Sequence, residues 1–423
     1  MNAADQDASP PGVSTAGAEW PRILAFSEEV LSTAHGTGVA FARNFAGYPR
    51  DALLNVYCGV DSPPLLPRVL DLKPHRWPPR FWPPAAALTR LRNFAARLVR
   101  SDAPPTALPA DRRRIARALA ATGFTPDLVY ASFMSQNAVR TLAAVLTTVP
   151  RRTPVILHVH DLFSSLTPSF RRDLRALAAR ATELWAVDPA IIAHAWPGAR
   201  QPVRIDRQLH IAVPAEMKRQ HRPAGPDFTA IVIGNIYNPA LLSDLRSAWA
   251  QCRAARPDLP PIRWYCHPAG VARVREAGVV PEPEVIDAGF IAPEQLHATL
   301  LAADLAILPF ARGATAASNY EKYSLPSRVA DLCAAGLPFV TLSGSGTPVH
   351  AFVTERQLGP CVPASDTPAV AATLHELINS HAQRAEFGRR GRALAEAEFD
   401  LADHQRWLYA HLRALARGVP ADS

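Results

Sequence analysis

No stretch of this 423-residue sequence is apolar for long enough to cross a bilayer; runs such as Thr153–Leu157 and Ile211–Pro214 end after a few residues. The first twenty residues lack both a basic start and an apolar run, so they do not read as a signal peptide. Small, polar and proline-containing, they predict a disordered tail over 1–20. Cysteine is sparse: Cys58, Cys252, Cys266, Cys333 and Cys361 are scattered, with no Cys-x-x-Cys pair. That excludes a zinc ribbon or a disulfide framework and predicts reduced, mostly buried thiols in a cytoplasmic protein. The Asp-x-Asp at Asp5-Gln6-Asp7 falls in the tail, so no metal site is expected from it. Convincing internal repeats are also missing.

What is present begins with charge. The net charge is +8, and between Lys73 and Arg117 eleven basic residues face only Asp102 and Asp111. Trp77, Phe81 and Trp82 sit among them beside prolines. Arginines interleaved with aromatics suit an anionic membrane surface, which would place the protein peripherally at the inner face of the membrane. A solvated helix face followed by a proline-rich loop reads the same way. Nucleic acid is not expected as a partner, because no DNA- or RNA-binding motif accompanies the patch.

Strand-like and helix-like segments alternate along the chain, which predicts α/β domains with doubly wound parallel sheets. The hydrophobic fraction of 48% is enough for two sizeable cores. The expected division is a first domain over 21–211, carrying a basic, proline-rich insertion at 60–125, and a polar linker over 212–227. A second domain follows over 228–398, then a terminal helix over 399–423. In the first domain, strands are expected at Arg22–Ser27, Asp51–Tyr57, Asp127–Ala131, Pro154–Val159 and Glu183–Val187. In open sheets of this kind ligands sit beyond the carboxyl ends of the strands. Three loops there carry chemistry-bearing residues: Gly36-Thr37-Gly38, Phe133 to Asn137, and His158-Val159-His160-Asp161. The first lets backbone approach a ligand closely but lacks the third glycine of a dinucleotide fingerprint. The histidines at 158 and 160 share a strand face, with no further ligand at metal spacing.

The most informative segment is 319–346. Glu321 precedes a Ser324-Leu325-Pro326-Ser327-Arg328 turn, a helix is expected from Val329 to Ala335, and a strand follows Gly336. A turn opening into a helix N-terminus favours phosphate. Arg328 adds a planar cation suited to phosphate oxygens, and Asp331 is placed to accept from sugar hydroxyls. A capped structural helix is the competing reading of these residues alone.

From Asp287 the order is a Gly-Phe turn, a short helix, Ala-Asp before a buried strand, Leu-Pro-Phe, an acidic-aromatic loop, and Ala-Gly-Leu-Pro. This series resembles the C-terminal half of family-4-like GT-B glycosyltransferases of the bacterial surface-polysaccharide type, over about Asp227 to Trp407. The resemblance implies two Rossmann-like domains facing a cleft, with the last helix crossing back to the first. It implies a metal-independent, cofactor-free, retaining transfer of a sugar from a nucleotide-sugar to a lipid-linked or saccharide acceptor. His160 and Asp161 would stand at the reacting centre, and Gly36, Thr37 and Gly38 near acceptor or phosphate. Gly234, Asn235, Glu321, Tyr323, Ser324, Ser327, Arg328 and Asp331 would hold the donor.

The sequence departs from that pattern in two places. Asn235 and Asn238 stand in the Gly234 loop where such enzymes carry cations. Tyr323 replaces the first glutamate of a paired-glutamate motif. Arg328 is therefore expected to supply the missing charge. A non-catalytic partner that has kept the fold, or a sugar-nucleotide epimerase, fits the same departures.

Overall fold

The structure, a computed structural model, describes residues 20–31, 36–59, 64, 68–72, 109–161, 166–213, 227–313, 315 and 318–418. Most of the expected tail, of the 60–125 insertion and of the 212–227 linker lies outside them, including the basic residues from Lys73 to Arg100. The described chain forms two compact units. One holds the residues up to Gln208 together with those from Ala402 onward; the other runs from Leu209 to Leu401.

The first unit is built on seven parallel strands: β1 (Ile23–Ser27), β2 (Leu53–Tyr57), β3 (Val69–Asp71), β4 (Leu128–Ser132), β5 (Val155–Val159), β6 (Glu183–Ala186) and β7 (Val203–Ile205). Their order is β3-β2-β1-β4-β5-β6-β7. Strands β1, β2, β4 and β5 are buried at every position, as parallel strands covered on both faces must be. The edge strands β3 and β7 were not expected from sequence: at three residues each, and only partly buried, they lack an apolar run. A helix runs over Gly36–Asn44. One buried polar residue shapes the exit of β1. Asn55 Nδ2 donates to Ala25 O and Ser27 Oγ, each at 3.0 Å, and its Oδ1 accepts from Leu31 N at 3.1 Å.

The helix over Leu401–Ala416 belongs almost wholly to this first unit. Leu408, Tyr409, Leu412 and Leu415 bury against Ile23, Phe41, Phe45 and Tyr130. Tyr409 Oη donates to Ala46 O at 2.6 Å and Gln405 Nε2 to Arg43 O at 2.6 Å.

The second unit repeats the plan with six parallel strands: β8 (Ala230–Ile233), β9 (Ile262–Tyr265), β10 (Val285–Asp287), β11 (Leu305–Pro309), β12 (Phe339–Leu342) and β13 (Cys361–Val362). Their order is β10-β9-β8-β11-β12-β13. Apolar clusters cover both faces, one around Trp249, Trp264 and Leu374, the other around Phe310, Val329 and Phe352. In each sheet the chain winds outward from its first strand, then returns to wind the other way. That leaves a crevice at the carboxyl ends of β1 and β4, and another at those of β8 and β11. Among the described residues no helix is long and apolar enough to cross a membrane.

Candidate functional site

Gly234, Asn235 and Arg328 come together at the carboxyl end of β8. Gly234 follows that strand with φ +88°, a left-handed conformation that glycine adopts without strain. The Arg328 guanidinium rests against it. A Cβ at Gly234 would stand 2.9 Å from Arg328 Nη1 and 3.2 Å from Cζ. Nη1 donates to the carbonyl of Ile233, the last residue of β8. Trp264 Nε1 donates to Gly234 O at 3.0 Å, and Gly234 N to Tyr265 O at 2.7 Å, so the glycine is fixed from both sides. Arg328 is half-buried and keeps further N–H groups beyond the one given to Ile233. The sequence puts its cation 94 residues from Gly234; the fold puts it against that glycine.

The turn before Arg328 is not the open cradle expected from sequence. The helix runs over Arg328–Ala334, and Ser327 at its start is in the right-handed helical region with no side-chain cap. Val329 N donates to Pro326 O and Ala330 N to Ser327 O, both at 3.0 Å. These first amides are spent inside the turn. Charge at this point therefore comes from the Arg328 side chain and not from those amides.

The neighbouring predicted residues divide by role. Glu321 is buried and closes a capping box: its carboxylate accepts from Ser318 N at 3.1 Å, while Ser318 Oγ accepts from Glu321 N at 3.2 Å. That is a structural duty at the start of the helix over Asn319–Tyr323. Tyr323 ends that helix half-buried, and Ser324 is buried with its N–H on Tyr320 O at 2.9 Å. Asp331 is half-buried in the first turn of the Arg328 helix. Asn235 turns toward β9, its Oδ1 accepting from Cys266 Sγ at 3.3 Å. Burial pushes the Cys266 thiol up to about 11, with Arg328 pulling the other way.

Sequence reasoning passed over an aromatic ladder at the same edge. Tyr320 stands 4.6 Å from Tyr237 and 5.1 Å from Phe310, ring centre to ring centre. Tyr237, in the loop after β8, is 47% exposed. The available signal was position: each of the three lies in a segment following β8 or β11.

In the first unit, Ser27, Glu28, Glu29, Gly38, Phe41, Ser132, Phe133 and Met134 line the crevice between β1 and β4. Glu28 Oε2 accepts from Met134 N at 2.9 Å and Ser135 N at 3.0 Å. Glu29 Oε2 accepts from Gly38 N at 3.2 Å. The Gly38 amide, expected to meet an acceptor or phosphate, thus already faces an anion of the chain. Gly36 and Thr37 open the same helix, and their side-chain surroundings lie outside the described residues.

His160 follows β5 directly and is buried, with Asp161 half-buried beside it. Burial first, then the adjacent His158, push the His160 imidazole well below the usual histidine range. It is neutral at physiological pH. Its Nε2 is enclosed and has no hydrogen-bond partner among the described residues. An unpartnered neutral imidazole nitrogen can accept from, or donate to, a hydroxyl that reaches it.

The sequence matches no family model. A search of the curated proteins finds no match either. Solved structures do match in fold. Sucrose-phosphate synthase from Thermosynechococcus elongatus aligns at TM-score 0.61 and 15% identity, over 94% of this chain and 100% of that one. Anabaena HepE in complex with UDP aligns at 0.58 and 16%, over 91% and 97%. S. aureus TarM, in complex with fondaparinux, alpha-GlcNAc-glycerol and UDP, aligns at 0.51 and 10%, over 72% of this chain. This chain spans 59% of the length of TarM. These neighbours are GT-B glycosyltransferases, and the two-unit α/β fold of this protein is theirs.

Proposed function

We propose that this protein is a glycosyltransferase that moves a sugar from a nucleotide-sugar donor to a saccharide or lipid-linked acceptor. The carrying observation is the Arg328 guanidinium seated against Gly234 at the β8 end. It supplies fixed positive charge at the crevice where a sheet of this topology binds its ligand. Breaking a sugar–diphosphate bond builds negative charge on the departing nucleotide, and a pre-oriented cation stabilises it without a reorganisation cost. HepE and TarM are complexed with UDP, which supports a uridine diphosphate donor as the first to try. The Tyr237–Tyr320 pair offers flat apolar surface at the same edge. In the first unit the neutral His160 would meet a sugar hydroxyl, with Asp161 beside it. Retention of configuration, a metal-independent route and a place in surface-polysaccharide assembly at the inner membrane face belong to the same reading.

Replacing Arg328 tests it. Arg328→Ala is expected to lower UDP-sugar consumption by about a hundredfold while the far-UV spectrum and melting temperature stay near wild type. Wild-type turnover in a folded variant would end the assignment. A second reading, a non-catalytic partner that binds nucleotide-sugar, draws on the spent amides of Val329 and Ala330. Thermal stabilisation by UDP-sugars without any release of UDP would favour it.

A further inference from the structure

Five polar side chains under the carboxyl ends of β4 and β5 are shut away from water. Asn44, Tyr130, His158, Asp206 and Gln208 are each at most 7% exposed. Left unbonded, each would be destabilising. They come from four separate segments and bond to one another. Tyr130 Oη lies 2.6 Å from His158 Nδ1, and His158 Nε2 lies 3.3 Å from the Asp206 carbonyl. The Asp206 carboxylate accepts from Gln208 N at 3.1 Å and Gln208 Nε2 at 2.7 Å. Gln208 Oε1 accepts from Asn44 Nδ2 at 3.0 Å. Gln208 takes φ 53° in this arrangement, a region disfavoured for any residue with a Cβ.

For a neutral His158 imidazole these bonds admit one proton arrangement. A carbonyl can only accept, so His158 Nε2 carries the hydrogen, and Nδ1 accepts from the Tyr130 hydroxyl. Burial, reinforced by Asp206, holds Tyr130 as the phenol, so that donor is always present. His158 is thereby confined to one tautomer and one ring plane. It shares a strand face with His160, and the two rings meet at 86° with centroids 4.3 Å apart. Phe41, a wall of the β1/β4 crevice, adds a contact to His160 at 6.0 Å. As mere filling, such a chain of bonds is a poor solution, because well-packed apolar residues stabilise a core as well or better.

We propose that His158 is a positioning residue for His160: the bonds from Tyr130 and Asp206, backed by Gln208 and Asn44, lock His158, and His158 holds the His160 imidazole in one orientation with Nε2 unpartnered for a substrate hydroxyl. The nature of the ligand rests on the glycosyl-transfer reading; the orientation does not.

Protein labelled with 15N at histidine tests both separately. In the wild type, His160 is expected to give one sharp pair of ring-nitrogen signals, those of a single neutral tautomer, between about pH 6 and 8. Tyr130→Phe removes the donor to His158 Nδ1. It is expected to broaden or double the His160 signals and to lower kcat with UDP-glucose about tenfold, with the donor KM within about twofold. Unchanged His160 signals and unchanged kcat in folded Tyr130→Phe would overturn the proposal. So would averaged tautomers at His160 in the wild type, which needs no variant. If UDP-glucose proves not to be turned over, the spectra still decide.

Discussion

Arg328 and Gly234 act as one feature. The guanidinium occupies the space that any side chain at 234 would need, and the backbone there is left-handed. Gly234→Ala therefore strains the turn and pushes Arg328 away from the β8 end. Donor affinity is expected to weaken about tenfold or more by calorimetric titration with UDP, alongside a stability loss of ~1–3 kcal/mol. An alanine variant with wild-type UDP affinity would dissociate the glycine from the anion site. At this scale the sequence was half legible. It pointed to Arg328 as the compensating cation, because the Gly234 loop has no cation of its own. It could not give the contact with Gly234, which depends on how far the β11–β12 connection folds back. The capping duty of Glu321 has a local cause: Ser318 lies three residues before it, and a capping box reads like a ligand acid unless the helix start is known.

At the scale of elements, the helix over Leu401–Ala416 is held by more than apolar packing. Its His411 Nε2 lies 2.9 Å from Glu183 Oε2 on β6, and Trp185 Nε1 donates to the same oxygen at 2.7 Å. Trp407 stacks on His411, and the Arg204 guanidinium sits 3.7 Å from the Trp407 ring centre. Burial pushes the Glu183 carboxyl up. The bonds from His411 and Trp185, with the charges of His411 and Arg204, outweigh it and hold the group below its ordinary value. A carboxyl with a depressed folded-state pKa contributes stability above its unfolded value, about 4.5, and loses it as pH falls through the lower folded one. Acidification below about pH 4.5 is thus expected to loosen this helix. Tryptophan fluorescence should register it, and Glu183→Gln should flatten that part of the profile. An identical acid limb in wild type and variant would remove Glu183 from the account.

At the scale of the whole molecule, the alternation of elements and the buried central strands were legible, because a fully covered parallel strand is apolar at every position. The short edge strands were not, since three half-buried residues carry no pattern. The partners of His158 were also out of reach: Asn44, Tyr130, Asp206 and Gln208 are scattered along the sequence and none belongs to a motif. The basic residues from Lys73 to Arg100 lie outside the described residues, while Arg112, Arg113, Arg114 and Arg117 lie on the helix over Pro109–Ala121. The proposed association with an anionic membrane surface predicts flotation with phosphatidylglycerol vesicles, reversed by salt, because surface charge is screened within about 8 Å at physiological ionic strength. Failure to float at any salt concentration would defeat it.

The return of the Leu401–Ala416 helix to the first unit also bears on biosynthesis. The first unit starts to emerge from the ribosome before the second and yet is completed after it. One flank of it stays uncovered while residues 209–401 are made, roughly 10–40 s at ordinary translation rates. Throughout that interval the apolar surface that Leu408, Tyr409 and Leu412 will cover has no partner from its own chain. For the nascent protein, the exposed flank of the older unit is the place where a chaperone, or a neighbouring chain, would find its footing.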